Sequence, residues 1–243
     1  MKAMIFAAGM GTRLLPLTLT KPKVLVEVAG KTLLQRSIEL LVLHGINEIV
    51  VNVHHFSHLV EEYLAVNNNF GVAIHISNES ELLLDTGGGL KKASHFFIGN
   101  EPFVVINSDV VSNINLATML EYHNKTRAIA TLAVRKRESN RNFLFNPNLE
   151  LCGWQNVKEK KEILVQIGGQ LSPMAFSGIQ IASPQLFSYF PQEPVFSLVQ
   201  LYLEAAKQEK IMGYPHDGDY WFDAGSIEKL QTVEQFLQND NSC

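Results

Sequence analysis

The sequence predicts an α/β fold, a mostly parallel sheet flanked by helices with a small antiparallel β-ribbon insertion. From the N-terminus to about residue 134, short apolar runs alternate with helical patterns, the signature of βαβ units. After Arg135 the runs become shorter and are punctuated by polar turns, which suits antiparallel ribbons. The chain has 243 residues, 46% of them hydrophobic, with no internal repeat, low-complexity stretch or linker. One domain over residues 1–243 is therefore expected, with a first half to residue 135 and a second over 136–243.

Taken in order, residues 3–7 read as a buried strand closed by Gly9. A loop rich in Gly, Thr and Pro follows. Apolar residues at 33, 34, 38, 41 and 42 then make one face of a helix over 33–43, which His44-Gly45 stops. Residues 49–53 form the next strand, 59–66 a helix, 72–76 a strand and 103–107 a further strand. Residues 119–123 fall in a helix and 128–134 in a strand. In the second half, 141–147, 150–154 and 163–167 read as ribbons, with Lys158 to Lys161 as a solvated hairpin turn. Residues 174–181 make a strand, and 196–207 and 227–237 amphipathic helices.

Composition excludes several function classes. With 20 Lys+Arg against 24 Asp+Glu, the net charge of −4 lacks the basic field of a nucleic-acid binder, and no cluster marks a membrane patch. The two cysteines, Cys152 and Cys243, build neither a disulfide framework nor a metal site. No apolar run approaches the ~18 residues of a membrane span. The apolar stretch at the N-terminus is too short for a signal peptide, so a cytoplasmic chain is expected.

The strongest signal is Ala7-Ala8-Gly9-Met10-Gly11-Thr12-Arg13-Leu14-Leu15-Pro16-Leu17-Thr18, followed by Lys21-Pro22-Lys23. Two glycines one residue apart, leaving a strand, let backbone N–H groups approach anionic oxygens. Leu14 stands where a dinucleotide fingerprint needs its third glycine, and no Gly-Lys-Ser/Thr ending makes a P-loop. Arg13 and Lys23 instead supply a planar fork and a point charge that together clamp a polyphosphate. A bare Gly-x-Gly makes only a tight turn. The attached Thr12, Arg13, Pro16, Pro22 and Lys23 distinguish this one.

This stretch resembles the signature of the sugar-1-phosphate nucleotidyltransferases. The resemblance continues through Glu27-Val28-Ala29-Gly30-Lys31 and Asn107-Ser108-Asp109 to Trp221-Phe222-Asp223-Ala224-Gly225-Ser226. It implies a GT-A-like, Rossmann-like fold, with a nucleotide-binding half over 1–135 and a sugar-binding half over 136–243. It also implies that Ala8, Gly9, Gly11 and Thr12 wrap a nucleoside triphosphate whose phosphates Arg13 and Lys23 hold. Asp109 and Asp223 match the family's two metal-binding aspartates, and so imply Mg²⁺. Asp109 follows a strand at the edge where parallel sheets present ligands, although Asp is also a common turn residue there. Asp223 has a second reading as a helix cap, for which Ser226 stands nearer the helix.

The same resemblance extends to the Asp85-Thr86-Gly87-Gly88-Gly89 loop, read as preceding a helix through Lys91 and Lys92. There Gly87 and Gly88 carry over as nucleobase contacts, with N–H groups free to meet an anion. Asn107 corresponds to a sugar-contacting position, Ser177-Gly178 to the segment lining the sugar pocket, and Asn142 falls near another sugar contact. The chain departs from many relatives in lacking a Glu-Lys-Pro triplet in its second half, and in placing Ser197 where some carry a basic residue. His54, His55 and His58 suggest zinc by their clustering, but without a second pair of ligands a solvated loop is the better reading.

The resemblance implies an enzyme that joins an NTP (UTP or GTP) to a sugar 1-phosphate, with no nucleic acid or membrane partner, and leaves the oligomeric state open. Compactness, Thr86-Gly87-Gly88-Gly89 and Phe176-Ser177-Gly178-Ile179 look most like the N-acetylmuramic acid 1-phosphate uridylyltransferase group. Mannose- or heptose-1-phosphate guanylyltransferases share much of the pattern. A regulatory nucleotide-sugar-binding protein would have lost Arg13, Lys23 or Asp109, and all three are present. A glycosyltransferase would carry Asp-x-Asp where this chain has Asn107-Ser108-Asp109.

Overall fold

A computed structural model describes residues 1–239, so Cys243 lies outside the described residues. The chain folds into two compact units that do not divide at residue 135. Unit 1 gathers residues 1–83, 106–114 and everything described from Tyr220 on; unit 2 comprises residues 84–105 and 115–219. Such interleaving arises from contacts between residues far apart in sequence, which local patterns do not encode.

Unit 1 begins with β1 (Ala3–Phe6), every residue of it buried. A tight hairpin, β2 (Glu27–Val28) and β3 (Lys31–Thr32), turns through Ala29 and Gly30, both at positive φ. Helix α1 (Leu33–Leu43) covers the residues its apolar periodicity marks; Thr32 caps it by accepting from the Gln35 N–H, and Gly45 at φ 72° turns the chain away. The strands β4 (Glu48–Val53) and β5 (Ala73–Asn78), joined by α2 (Ser57–Val66), extend β1 into a parallel sheet. The Val-rich sequence of β4 is nearly all buried, as a central parallel strand requires.

Unit 2 opens with α3 (Asp85–Ala93), and here the structure departs from the sequence reading. The glycine run is not a loop ahead of the helix but its first turns. Glycine is a poor helix former, and close packing accounts for it: a Cβ on Gly87 would lie 2.4 Å from the Phe196 ring, and one on Gly88 2.1 Å from the Pro194 carbonyl oxygen. β6 (Phe103–Asn107) then carries the chain from unit 2 into unit 1, where β7 (Val110–Ser112) follows.

Back in unit 2, α4 (Leu116–Thr126) leads to β8 (Ala130–Arg135). The ribbons are β9 (Arg141–Phe145), β10 (Leu151–Asn156) and β11 (Lys161–Leu164), paired antiparallel in sequence order, with Lys158 to Lys160 in the tight turn. The long β12 (Ser172–Ala182) pairs antiparallel with both β9 and β8. Ser197 caps α5 (Leu198–Ala205) in a reciprocal capping box with Gln200. β13 (Ile211–Pro215) runs parallel to β8.

The chain returns to unit 1 as β14 (Trp221–Asp223), antiparallel to β7, and ends in α6 (Ile227–Asn239). Leu14, Val26, Val28, Leu33, Val111, Ala224, Leu230 and Val233 form a buried cluster that ties the first loop to α1, β7 and α6. No described helix is long and apolar enough to cross a membrane.

Candidate functional site

The candidate site of unit 1 is built from the root of the first loop outward. The buried Ala7 N–H donates to Asn52 Oδ1 at 2.7 Å, and Asn52 Nδ2 donates to Glu79 Oε1 at 2.7 Å. The Glu79 N–H in turn donates to the Val53 carbonyl. A satisfied polar chain from β4 and the end of β5 therefore fixes where the loop leaves β1. Asn52 and Glu79 belong to no motif, and their burial was the only signal that could have marked them.

Ala8 is buried, whereas Gly9, Thr12 and Arg13 are exposed. Gly11 sits at φ 65°, and its carbonyl accepts from the Leu14 N–H and the Thr18 hydroxyl. A Cβ there would lie 2.9 Å from both Lys23 Cβ and Thr18 Cγ2. Only glycine permits both the left-handed backbone and the contact. The loop is thereby folded onto Lys23, which Pro22 delivers into a single 3₁₀ turn, Lys23–Leu25.

The Lys23 ammonium forms an ion pair with Asp109 Oδ2, both side chains mostly buried. Asp109 lies between β6 and β7, and its carbonyl accepts the Ala224 N–H at 2.8 Å while Asp223 pairs with Val110. The short β7–β14 ladder thus brings the two aspartates, 114 positions apart by their numbers, to one end of one ribbon. Gly225 donates its N–H to Asp223 Oδ1 at 2.8 Å, and a Cβ on it would lie 2.8 Å from Arg13 Nη2. Arg13 is therefore brought to Asp223. Burial works to raise the Asp223 carboxyl, but the Lys229 ammonium, the Gly225 N–H and the Arg13 guanidinium together hold it below its ordinary value.

This donor set fits Mg²⁺. Two carboxylates supply hard oxygens, the number this ion takes from protein when phosphates and water complete its octahedron. Among the described residues no group of three or more His, Cys, Asp and Glu side chains comes together. The first of the clustered histidines, His54, is engaged through Nδ1 with the Glu79 carbonyl.

The remaining expected site residues are placed separately. Asn107 is half-buried at the end of β6, in unit 1. In unit 2, the Gly87 and Gly88 N–H groups both donate to the Phe196 carbonyl, at 2.9 and 3.1 Å, so they do not stand free for an anion as the sequence reading expected. Ser177 and Gly178 are buried in an irregular stretch of β12, where the Ser177 hydroxyl meets His216. Asn142 is buried on β9 and donates to the Ser139 carbonyl.

Comparison with known proteins agrees with this architecture. The nucleotidyl transferase family profile matches residues 2–143. N-acetylmuramate alpha-1-phosphate uridylyltransferase of Caulobacter vibrioides is 32% identical over 97% of this chain and 96% of its own length. The catalytic subunit beta of mannose-1-phosphate guanylyltransferase from Dictyostelium discoideum is 30% identical over 93% of this chain, which spans 61% of that protein. The crystal structure of HddC from Yersinia pseudotuberculosis complexed with GMP-PN superposes with a TM-score of 0.78 over 97% of this chain and 99% of its own, at 20% identity, which speaks for the fold. With a GT-A-like α/β architecture, the opening loop in its place and matches along nearly its whole length, the chain belongs to the nucleotidyl transferase family, that of the sugar-1-phosphate nucleotidyltransferases.

Proposed function

We propose that this chain is a cytoplasmic enzyme converting an NTP and a sugar 1-phosphate into an NDP-sugar and pyrophosphate, with UTP and an N-acetylmuramate- or N-acetylhexosamine-type 1-phosphate as its substrates. The observation that carries the reading is the convergence in unit 1 of the Gly11 turn, Lys23 on Asp109, and Arg13 beside Asp223. A phosphate oxygen of the sugar 1-phosphate attacks the α-phosphorus in line, and the bond to the β-phosphate oxygen breaks. The nucleophile is already an anion and pyrophosphate leaves as one, so no side chain has to move a proton. Catalysis then consists of positioning and neutralising charge.

Gly9, Gly11 and Thr12 present the loop backbone to the triphosphate, and Arg13 binds the leaving phosphates. Lys23 neutralises charge developing at the reacting phosphorus. Asp109 and Asp223 would hold Mg²⁺, which when bound supplies further neutralisation of the phosphate oxygens. Asn107, Asn142, Ser177 and Gly178 are assigned to the sugar, and Ala8, Gly87 and Gly88 to the nucleoside. For the last two the contact would be made by helix surface rather than by their N–H groups.

The test is pyrophosphate release with each common NTP against a panel of sugar 1-phosphates, with and without Mg²⁺. UTP with N-acetylmuramate 1-phosphate should be turned over fastest. A preference for GTP with mannose 1-phosphate would move the chain to the guanylyltransferases, as the Dictyostelium relative's name allows. Lys23→Ala should lower kcat by about 100-fold or more, the scale on which a transition-state donor acts, while the circular dichroism spectrum is kept. Near-normal turnover in that variant would remove Lys23 from the mechanism.

A further inference from the structure

Each of the two aspartates assigned to the divalent ion already carries an ammonium. Lys23 is paired with Asp109, and Lys229, in the first turn of α6, is paired with Asp223 Oδ2. Lys23 belongs to the opening motif; Lys229 belongs to no motif. Its side chain is 49% exposed, and a pair so open to water contributes little to stability. Asp223 does not need it as a partner either, because the Gly225 N–H and the Arg13 guanidinium already serve that carboxylate. With Lys229 included, the site holds three cations (Arg13, Lys23 and Lys229) against two carboxylates.

Such a surplus acts in opposite directions on the two species that must enter. A free divalent cation meets a net positive site and a carboxylate oxygen already occupied. A nucleoside triphosphate complexed with the same cation is a net anion and is attracted. In an octahedral Mg²⁺ shell, neighbouring ligand oxygens lie about 3 Å apart, so a phosphate oxygen next to Asp223 falls within reach of an ammonium that starts on the carboxylate.

We propose that Lys229 is a placeholder cation: it occupies Asp223 until the divalent ion arrives with the triphosphate, then donates to a phosphate oxygen of that complex. This rests on the reaction proposed above, and it makes Lys229 a substrate-binding residue that enforces entry of the ion together with the nucleotide.

Mn²⁺ alone, followed by electron paramagnetic resonance without nucleotide, tests the first part. Lys229→Met should bind Mn²⁺ about three- to fivefold tighter than the parent chain, and Lys229→Arg about as the parent does. A lysine with a merely structural role would leave Mn²⁺ affinity unchanged or weaken it when removed. Steady-state pyrophosphate release tests the second part: KM for Mg·NTP should rise about three- to fivefold or more in Lys229→Met and stay near the parent value in Lys229→Arg. Unchanged or weaker Mn²⁺ binding, or an unaltered KM, in an active Lys229→Met protein overturns the placeholder role alone. A parent chain that releases no pyrophosphate with any substrate pair overturns the reaction it rests on.

Discussion

His216 Nε2 lies 2.7 Å from Ser177 Oγ with both side chains buried, so an imidazole on the segment leaving β13 grips the irregular stretch of β12. The β12–β8 register slips there, with Phe176 opposite Val134 but Gln180 opposite Leu132, and Gly178 takes φ 76°. Asp219 Oδ2 stands 3.5 Å from His216 Nδ1, and the Asp217 and Asp219 carbonyls accept from Arg135. Burial, aided by the Arg135 charge, pushes the imidazole pKa down against the opposing pull of Asp219 and Asp217. If Ser177 and Gly178 meet the sugar, His216 is a positioning residue for them. His216→Phe should raise KM for the sugar 1-phosphate several-fold and leave KM for the NTP within twofold, while His216→Gln, which keeps a polar partner, should restore most of the difference. Equal changes in both constants would show only general loosening.

Gly88 separates packing from binding. The Pro194 carbonyl stands 2.1 Å from where its Cβ would be, and backbone cannot yield as a flexible side chain does. Gly88→Ala should cost about 2–4 kcal/mol, in the range of overpacking or more, seen as a lower midpoint in urea. An unaltered midpoint with a raised KM for NTP would reverse the assignment and make Gly88 a ligand contact first.

Asn52 is the hinge of the polar chain at the loop root. Asn52→Ala leaves the Ala7 N–H without its acceptor and removes a donor from the buried Glu79 carboxylate. The expected loss is about 2–4 kcal/mol, because both groups were desolvated on folding. kcat should also fall, since the loop carrying Gly9, Gly11 and Arg13 loses its anchor. Asn52→Asp keeps an acceptor for Ala7 but faces Glu79 with a second carboxylate, so it should be no better than alanine at neutral pH. A stable, fully active Asn52→Ala protein would show that the loop is held by Thr18 and Lys23 alone.

How much of this was legible in the sequence depends on the range of the contact involved. The Leu33–Leu43 helix was readable residue by residue because its apolar periodicity and the His44-Gly45 stop lie within or directly beside its own span. The ribbons β9 to β11 were readable because polar turns separate adjacent partners. The β7–β14 pairing was not, since strands of three residues have no visible period and the register partners Ser112 and Trp221 lie 109 positions apart by their numbers. The glycines of α3 misled because helix propensity argues against a helix there, and only Pro194 and Phe196, a hundred residues on, explain them. At the candidate site, Arg13, Lys23, Asp109 and Asp223 stood out through motif chemistry. Asn52 and Glu79 act through pairing across 27 to 45 positions and carry no local sign, while Lys229, six positions from Asp223, lies outside every motif.

The buried His123 gives the fold a pH dependence whose sign can be derived. Its Nδ1 lies 2.9 Å from Thr131 Oγ1 and its Nε2 3.0 Å from Ser183 Oγ, hydroxyls that rotate to serve a neutral ring. Burial lowers its pKa from 6.5 to about 4. Below pH 6.5 the unfolded chain takes up a proton that the folded chain refuses until about pH 4, so stability is complete above 6.5 and is lost as pH falls through that window. One proton corresponds to about 1.4 kcal/mol per pH unit, or about 3 kcal/mol over the full window. Carboxylates held below their ordinary values, Asp223 among them, are lost in the same direction at lower pH, so only a difference against a variant isolates the histidine. His123→Gln keeps hydrogen-bonding capacity and removes the titration. It should be about 1 kcal/mol less stable than the parent at pH 7, with the gap closing and then reversing towards pH 4 in urea titrations taken at half-unit steps. Two curves that stay parallel from pH 7 to pH 4 would mean that His123 is protonated in the folded chain, and that Thr131 and Ser183 accommodate its charge.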